Sequence, residues 1–263
     1  MFRTKRRKID RLDFILAGAQ KSGTTALHYF LGRHPHVTMG DQQEMHFFDN
    51  EEIFGHAVDY DLLHRHFPPI ARSTRRGFAT ARRAIAGECT PIYIYWRPAL
   101  QRIWKYNPRI KLLVILRNPI DRAFAHWNMQ RFKGREPLDF LEALKAEKER
   151  AREIAPLQSR RYSYVDRGFY AEQLARVFKF FPREQVKIIK FEEFRDKKYE
   201  TLDAIFRFLD VKPIISPRDK DKNIDPYERE LTLDERKYVY GILAEDIAKL
   251  EQMLGWDCAD WKL

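Results

Sequence analysis

Long hydrophobic runs are missing from this chain. Its most apolar stretches, around Phe14–Ala19 and Leu112–Leu116, have the length of a strand and fall far short of the roughly 18 residues that a membrane-spanning helix requires. Cysteine is scarce as well. Cys89 and Cys258 are the two present, too few for a disulfide framework and without the paired spacing of a metal site, so no metal is expected. The basic start, Met1 to Asp10, is followed by no apolar core or small-residue cleavage site, and no secretory signal is read there. A reducing cytoplasm is the expected compartment. There is neither an internal repeat nor a low-complexity linker, and one domain spanning 1–263 is expected.

What is present describes a globular protein with a taste for anions. A hydrophobic fraction of 44% in 263 residues suffices to bury a core. Lys and Arg number 49 against 38 Asp and Glu, a net charge of +11, which suits nucleic acid, acidic lipid, an anionic glycan or a phosphorylated nucleotide, or simply keeps the chain soluble. A nucleic-acid-binding protein should gather its basic residues into a stripe with interleaved aromatics. Here they are spread over helices and offset by glutamates, as in 142–153, and no recognised nucleic-acid motif occurs. Nucleic acid is therefore not the expected partner, although a basic non-enzymatic binding protein is kept as a rival reading.

Three apolar, β-branched runs, Phe14–Ala17, Leu112–Leu116 and Val186–Phe191, read as buried parallel strands. Each is followed by polar or glycine residues and then by a helical pattern. Helices are expected over Thr24–Arg33, over Asp121–Arg131 entered through Asn118-Pro119, from Leu138 to before Pro156, over Tyr170–Phe181 and Thr201–Leu209, and over Thr232–Leu254 closed by Gly255. Alternation of this kind predicts an α/β fold, a mostly parallel β-sheet flanked by helices, with ligands at the carboxyl ends of its strands. Residues 213–229, rich in charge and proline, read as a surface loop and a candidate lid.

The segment Phe14-Ile-Leu-Ala-Gly18-Ala-Gln-Lys21-Ser22-Gly23-Thr24-Thr25-Ala-Leu27 carries the most chemistry. It runs from strand through a glycine-bounded turn into a helix, where backbone N–H groups and the helix dipole converge on an anion. Lys21 adds a point charge, and Ser22, Thr24 and Thr25 add hydroxyl donors. A nucleotide-hydrolysing loop would place lysine directly after the second glycine, but Thr24 stands there and the lysine is Lys21. The run Leu-Leu-Val-Ile-Leu116 also ends in Arg117 instead of a magnesium-holding aspartate. A P-loop nucleotide or small-molecule kinase is thereby disfavoured, yet it stays as the rival enzyme. Arg117, at a strand end beside a helix start, can pair bidentately with a phosphate.

The turn Lys21-Ser-Gly-Thr-Thr-Ala-Leu27 resembles the 5′-phosphosulfate loop of the sulfotransferases that use 3′-phosphoadenosine-5′-phosphosulfate (PAPS), in particular bacterial members and the heparan sulfate sulfotransferase branch. Further segments match in order. Glu44-Met-His46-Phe47-Phe48-Asp49, Gly87-Glu88-Cys89-Thr90-Pro91-Ile-Tyr93 and Leu116-Arg117-Asn118-Pro119-Ile-Asp121-Arg122-Ala-Phe124 resemble that family's motifs. Gly168-Phe-Tyr170, Phe181-Pro182 and Leu254-Gly255-Trp256-Asp257 with Trp261 resemble it more weakly.

The resemblance implies a P-loop NTPase-like fold and a sulfuryl transfer from PAPS, leaving adenosine 3′,5′-bisphosphate (PAP), to a hydroxyl or amine. It implies that Lys21, Ser22, Gly23, Thr24 and Thr25 hold the 5′-phosphosulfate, with Lys21 also acting on the bridging oxygen, that Arg117 holds the 3′-phosphate, and that Tyr170 is among the cofactor-binding residues. Glu44 is implied as the catalytic base, with His46 as the alternative. Three departures stand out. Ala125 occupies the place of a phosphate-binding serine, which leaves Lys220 and Lys222 of the 213–229 loop as the candidates to compensate. Gln43 and Cys89 stand where relatives often carry lysine. The acceptor is left open among glycan, lipid, small phenol and peptide tyrosine.

Overall fold

The computed structural model describes residues 6–71, 84–156, 158–213 and 227–263. Lys220 and Lys222 lie outside the described residues, as does the 213–229 loop apart from Pro213 and Tyr227–Arg229. In chain order the elements are β1 (Arg6–Arg7), β2 (Phe14–Gly18), α1 (Thr24–Gly32), β3 (Val37–Met39), α2 (Glu51–Phe54), α3 (Asp61–His64), β4 (Ile70–Ala71), β5 (Ile85–Cys89) and α4 (Arg97–Tyr106). There follow β6 (Lys111–Leu116), α5 (Pro119–Phe132), α6 (Phe140–Arg152), α7 (Tyr170–Phe180), β7 (Val186–Lys190), α8 (Phe191–Asp196), α9 (Lys198–Phe208) and α10 (Leu233–Leu254).

Five strands form one sheet in the spatial order β3-β5-β2-β6-β7, every neighbouring pair parallel. The earliest of them, β2, is central, with Phe14 opposite Gly87 on one side and Lys111 on the other. The chain leaves β2 first toward β5 and β3 and later toward β6 and β7. The order therefore reverses at the carboxyl end of β2, which is where an α/β sheet opens a ligand crevice. β1 and β4 form a separate antiparallel pair.

Side-chain alternation along the strands feeds two cores. Phe14 and Leu16 of β2, with Leu113 and Ile115 of β6, pack under α1, α8 and α9. Ile15 and Ala17, with Leu112, Val114 and Leu116, face α4, α5, α7 and α10. Both faces are thus covered, and that is why the expected strands read as continuous apolar runs. The α10 helix opens on a reciprocal cap between Thr232 and Glu235 and closes on Gly255 at φ 66°, a left-handed residue that glycine adopts without strain.

Four strands (β1, β3, β4 and β5) and four helices (α2, α3, α4 and α8) of the described structure were not expected. β5, Ile-Ala-Gly-Glu-Cys, has a single β-branched residue, and its Gly87 lies against the Phe14 ring, in a space that a Cβ would fill. β3 is three residues long, and α2 and α3 are single turns. The charged α4 does bury Ala99, Leu100 and Ile103 on one face.

Candidate active site

β2 delivers the chain to the crevice and α1 takes it away. Between them the Ala19 N–H donates to Ile115 O at 2.7 Å, and the Ser22 N–H to Ala19 O at 3.2 Å, which tightens the loop. Lys21 sits at φ 65° and Gly23 at φ 88°. At Gly23 the left-handed backbone and the closeness of the Phe191 ring, 2.8 Å from where a Cβ would stand, both demand glycine. Gly23 caps α1 with no side-chain hydrogen bond, so the first turn has no side-chain acceptor competing with an incoming anion. Thr24 is buried and Thr25 exposed at that turn. Ser22 is placed differently from the expectation. It is 0% exposed, with a hydroxyl that faces Tyr170 inside the protein.

The second strand-to-helix turn meets the first. Arg117 directly follows β6, and its Nη1 donates to Lys21 O at 3.4 Å while its guanidinium lies 5.4 Å from the Phe191 ring centre. Asn118 caps α5, its Oδ1 accepting from the Ile120 N–H at 3.0 Å, with Pro119 in the first turn. Tyr170, the first residue of α7, donates its hydroxyl to Arg117 O at 3.0 Å, and burial pushes its pKa up to about 12. The C-terminal segment fastens this corner, for Asn118 Nδ2 donates to Asp260 O at 3.3 Å and Lys190 Nζ to Asp257 O at 2.8 Å. Lys21, Ser22, Arg117 and Tyr170 are thus gathered in one place. Ala125 is buried three residues past Arg122 on α5.

The Glu44 segment approaches from the β5 side. The Glu44 N–H donates to Cys89 O at 2.8 Å, and Gln43 Nε2 donates to Thr25 Oγ1 at 3.1 Å, which ties the segment to the first turn of α1. Glu44 and His46 both have positive φ, 61° and 52°. His46 stands between two carboxylates, Nδ1 donating to Asp49 Oδ2 at 2.9 Å and Nε2 lying 3.6 Å from Glu44 Oε2. The hydrogen bonds to Asp49 and then Glu44 raise its pKa to about 9. An imidazolium at neutral pH has no lone pair with which to accept a proton. Phe47 and Phe48 are buried, and their N–H groups donate to the Tyr93 hydroxyl.

Three residues at this site carried no assigned role in the sequence reading. Arg160 donates to both the carboxylate and the carbonyl of buried Asp49. Arg167 reaches Gln20 Oε1 at 2.5 Å. Glu88, inside a matched segment but without a role, is fully buried; burial raises its pKa to about 7, and Thr90 Oγ1 donates to it at 2.8 Å. Two arginines in a charged stretch offer no spacing signal, and nothing in Gly-Glu-Cys marks the glutamate as buried.

A glycine-bounded strand-to-helix loop at the switch point of a parallel sheet, faced by an arginine from the next strand, defines an α/β protein of the P-loop NTPase-like fold. The chain belongs to the sulfotransferase family, its residues 11–240 matching the family's sulfotransferase domain. It is 30% identical over 202 residues to heparan sulfate glucosamine 3-O-sulfotransferase 5 of Homo sapiens, a match covering 77% of this chain and 54% of that protein. It is 28% identical over 245 residues to the bifunctional heparan sulfate N-deacetylase/N-sulfotransferase 2 of Homo sapiens, covering 89% of this chain and 25% of that protein. The chain therefore spans about half of the first relative and about a quarter of the second. The crystal structure of a sulfotransferase from Alicyclobacillus acidocaldarius is similar at a TM-score of 0.78 and 29% identity, covering 96% of this chain and 99% of that one.

Proposed function

We propose that this protein transfers a sulfuryl group from PAPS to a hydroxyl or amine of an acceptor. The observation that carries this reading is the bond from Gln43 to Thr25. It ties the Glu44 segment to the first turn of α1, which this reading takes as part of the phosphosulfate site. The residues fit such a donor: Gly23 leaves the start of α1 without a side-chain cap, and Arg117 stands at the neighbouring turn. In this reading the first turn of α1 and Lys21 hold the 5′-phosphosulfate, and Arg117 holds the 3′-phosphate.

Glu44 takes the acceptor's proton as the acceptor oxygen or nitrogen bonds to sulfur. The sulfur–oxygen bond to the 5′-phosphate breaks, and Lys21 stabilises the charge that gathers on that oxygen. PAP is the product. His46, held protonated between Asp49 and Glu44, keeps the Glu44 carboxylate aimed. The relatives named for heparan sulfate make an amino-sugar hydroxyl or amine the first acceptor to try.

Purified protein, sulfur-labelled PAPS and a panel of glycan, phenol, lipid and tyrosyl-peptide acceptors test the proposal. Label should move to one acceptor class without added magnesium. Turnover of ATP with magnesium, and no movement of label, would instead support the kinase reading.

A further inference from the structure

In-line transfer requires the loop 18–25 and the segment 44–49 to hold a fixed relative position. Among the described residues, two routes of side-chain contact join them. One is the direct bond from Gln43 to Thr25. The other passes through Arg167, in the short 3-10 turn Asp166–Gly168 ahead of α7. Arg167 Nη1 donates to Gln20 Oε1 at 2.5 Å, in the loop and next to Lys21. Its Nη2 donates to Arg160 O at 2.8 Å, and its Nε to Ser163 Oγ at 2.7 Å. Arg160 grips Asp49, Asp49 accepts from His46, and His46 faces Glu44.

Arg167 is 3% exposed, with its guanidinium 4.8 Å from the Tyr95 ring centre. The acceptors of its hydrogen bonds are all neutral: an amide, a hydroxyl and two carbonyls. Burying a guanidinium is costly unless its donors are met. The planar fork meets them only when Gln20 and the 159–163 backbone occupy matching positions. A shift at either end therefore strains the other, which is the requirement for a two-ended clamp.

We propose that Arg167 is a positioning residue, through which occupancy of the loop 18–25 fixes the placement of Glu44 and His46. The proposal rests on the reading of that loop as the donor site. Adenosine 3′,5′-bisphosphate serves as the probe, so no acceptor is needed. Amide hydrogen exchange with and without it is followed in the full-length wild type, Arg167→Lys, Gln20→Ala and Arg160→Lys.

In wild type the probe should slow exchange in peptides covering both 18–26 and 44–50. In each variant that keeps a wild-type circular dichroism spectrum, protection at 18–26 should persist and the added protection at 44–50 should be lost. Gln20→Ala and Arg160→Lys break the same route at less buried points, so a misfolded Arg167→Lys leaves the question decidable. Full protection at 44–50 in the folded variants overturns the proposal and assigns the coupling to the Gln43–Thr25 bond. Protection at 18–26 alone in wild type overturns it too. No protection at either place, with no binding, refutes the donor-site reading itself.

Discussion

In the proposed reaction Lys21 and Glu44 act on opposite sides of the transferred group, and their variants should separate accordingly. Removing one donor aimed at developing charge lowers turnover by roughly 10²–10³, and Lys21→Ala should lose about that much. Removing a general base lowers it by roughly 10²–10⁴, so Glu44→Gln should fall in that range with an alcohol or amine acceptor, while its PAP affinity stays within about a few-fold, because the amide keeps size and polarity. Single-turnover rates and calorimetric PAP binding check both variants. Near-wild-type transfer by Glu44→Gln would remove Glu44 as the base. Glu88 supplies a separate test at the same scale. Burial raises its pKa from 4.5 to about 7, so in that window the unfolded chain releases a proton that the folded one keeps. The contribution of Glu88 to stability is thus fully present below pH 4.5 and is lost as pH rises through about 7. Glu88→Gln can still accept from Thr90 and removes that decline. Its melting temperature should gain on wild type progressively between those two pH values, and a pH-independent difference would contradict the assignment.

At the scale of elements, legibility followed local information. β2 with its loop and α1, and β6 with α5, were readable because apolar runs, glycine, the Asn-Pro entry and hydroxyls lie next to one another in sequence. β5 was not, since its glycine answers the Phe14 ring across the sheet and its buried glutamate answers Thr90. The geometry around Glu44 depends on two left-handed residues and on Arg160, far along the chain. The motif named Glu44, while its partners had to come from tertiary structure. The α5 helix offers a test of register. Ala125 is 2% exposed, on the helix that Arg117 introduces, so Ala125→Ser should tighten PAP binding by at most about 1–2 kcal/mol if the new hydroxyl reaches the 3′-phosphate. A buried hydroxyl without a partner costs roughly 1–3 kcal/mol. A lowered melting temperature with unchanged PAP affinity would show that α5 presents a different face to the ligand.

The chain carries a net charge of +11, and Arg117 and Lys21 meet at the crevice, where Arg117 Nη1 donates to Lys21 O at 3.4 Å. Such a site should prefer a ligand with anionic groups at two separated points over one with a single polyphosphate tail. Ligand binding to the native state alone adds about 2.7 kcal/mol of stability at 100 times Kd. For chains approaching this size each kcal/mol raises the melting temperature by roughly 2–4 °C. Saturating PAP should therefore raise it by roughly 5–10 °C at low salt. The shift should shrink as salt screens the cations and fall in Arg117→Ala. ATP with magnesium at the same concentration should give a clearly smaller shift, because it has no 3′-phosphate for Arg117 to hold. An equal or larger shift with ATP and magnesium would mean that the crevice reads a polyphosphate chain, and the kinase reading would replace the sulfotransferase one for this chain.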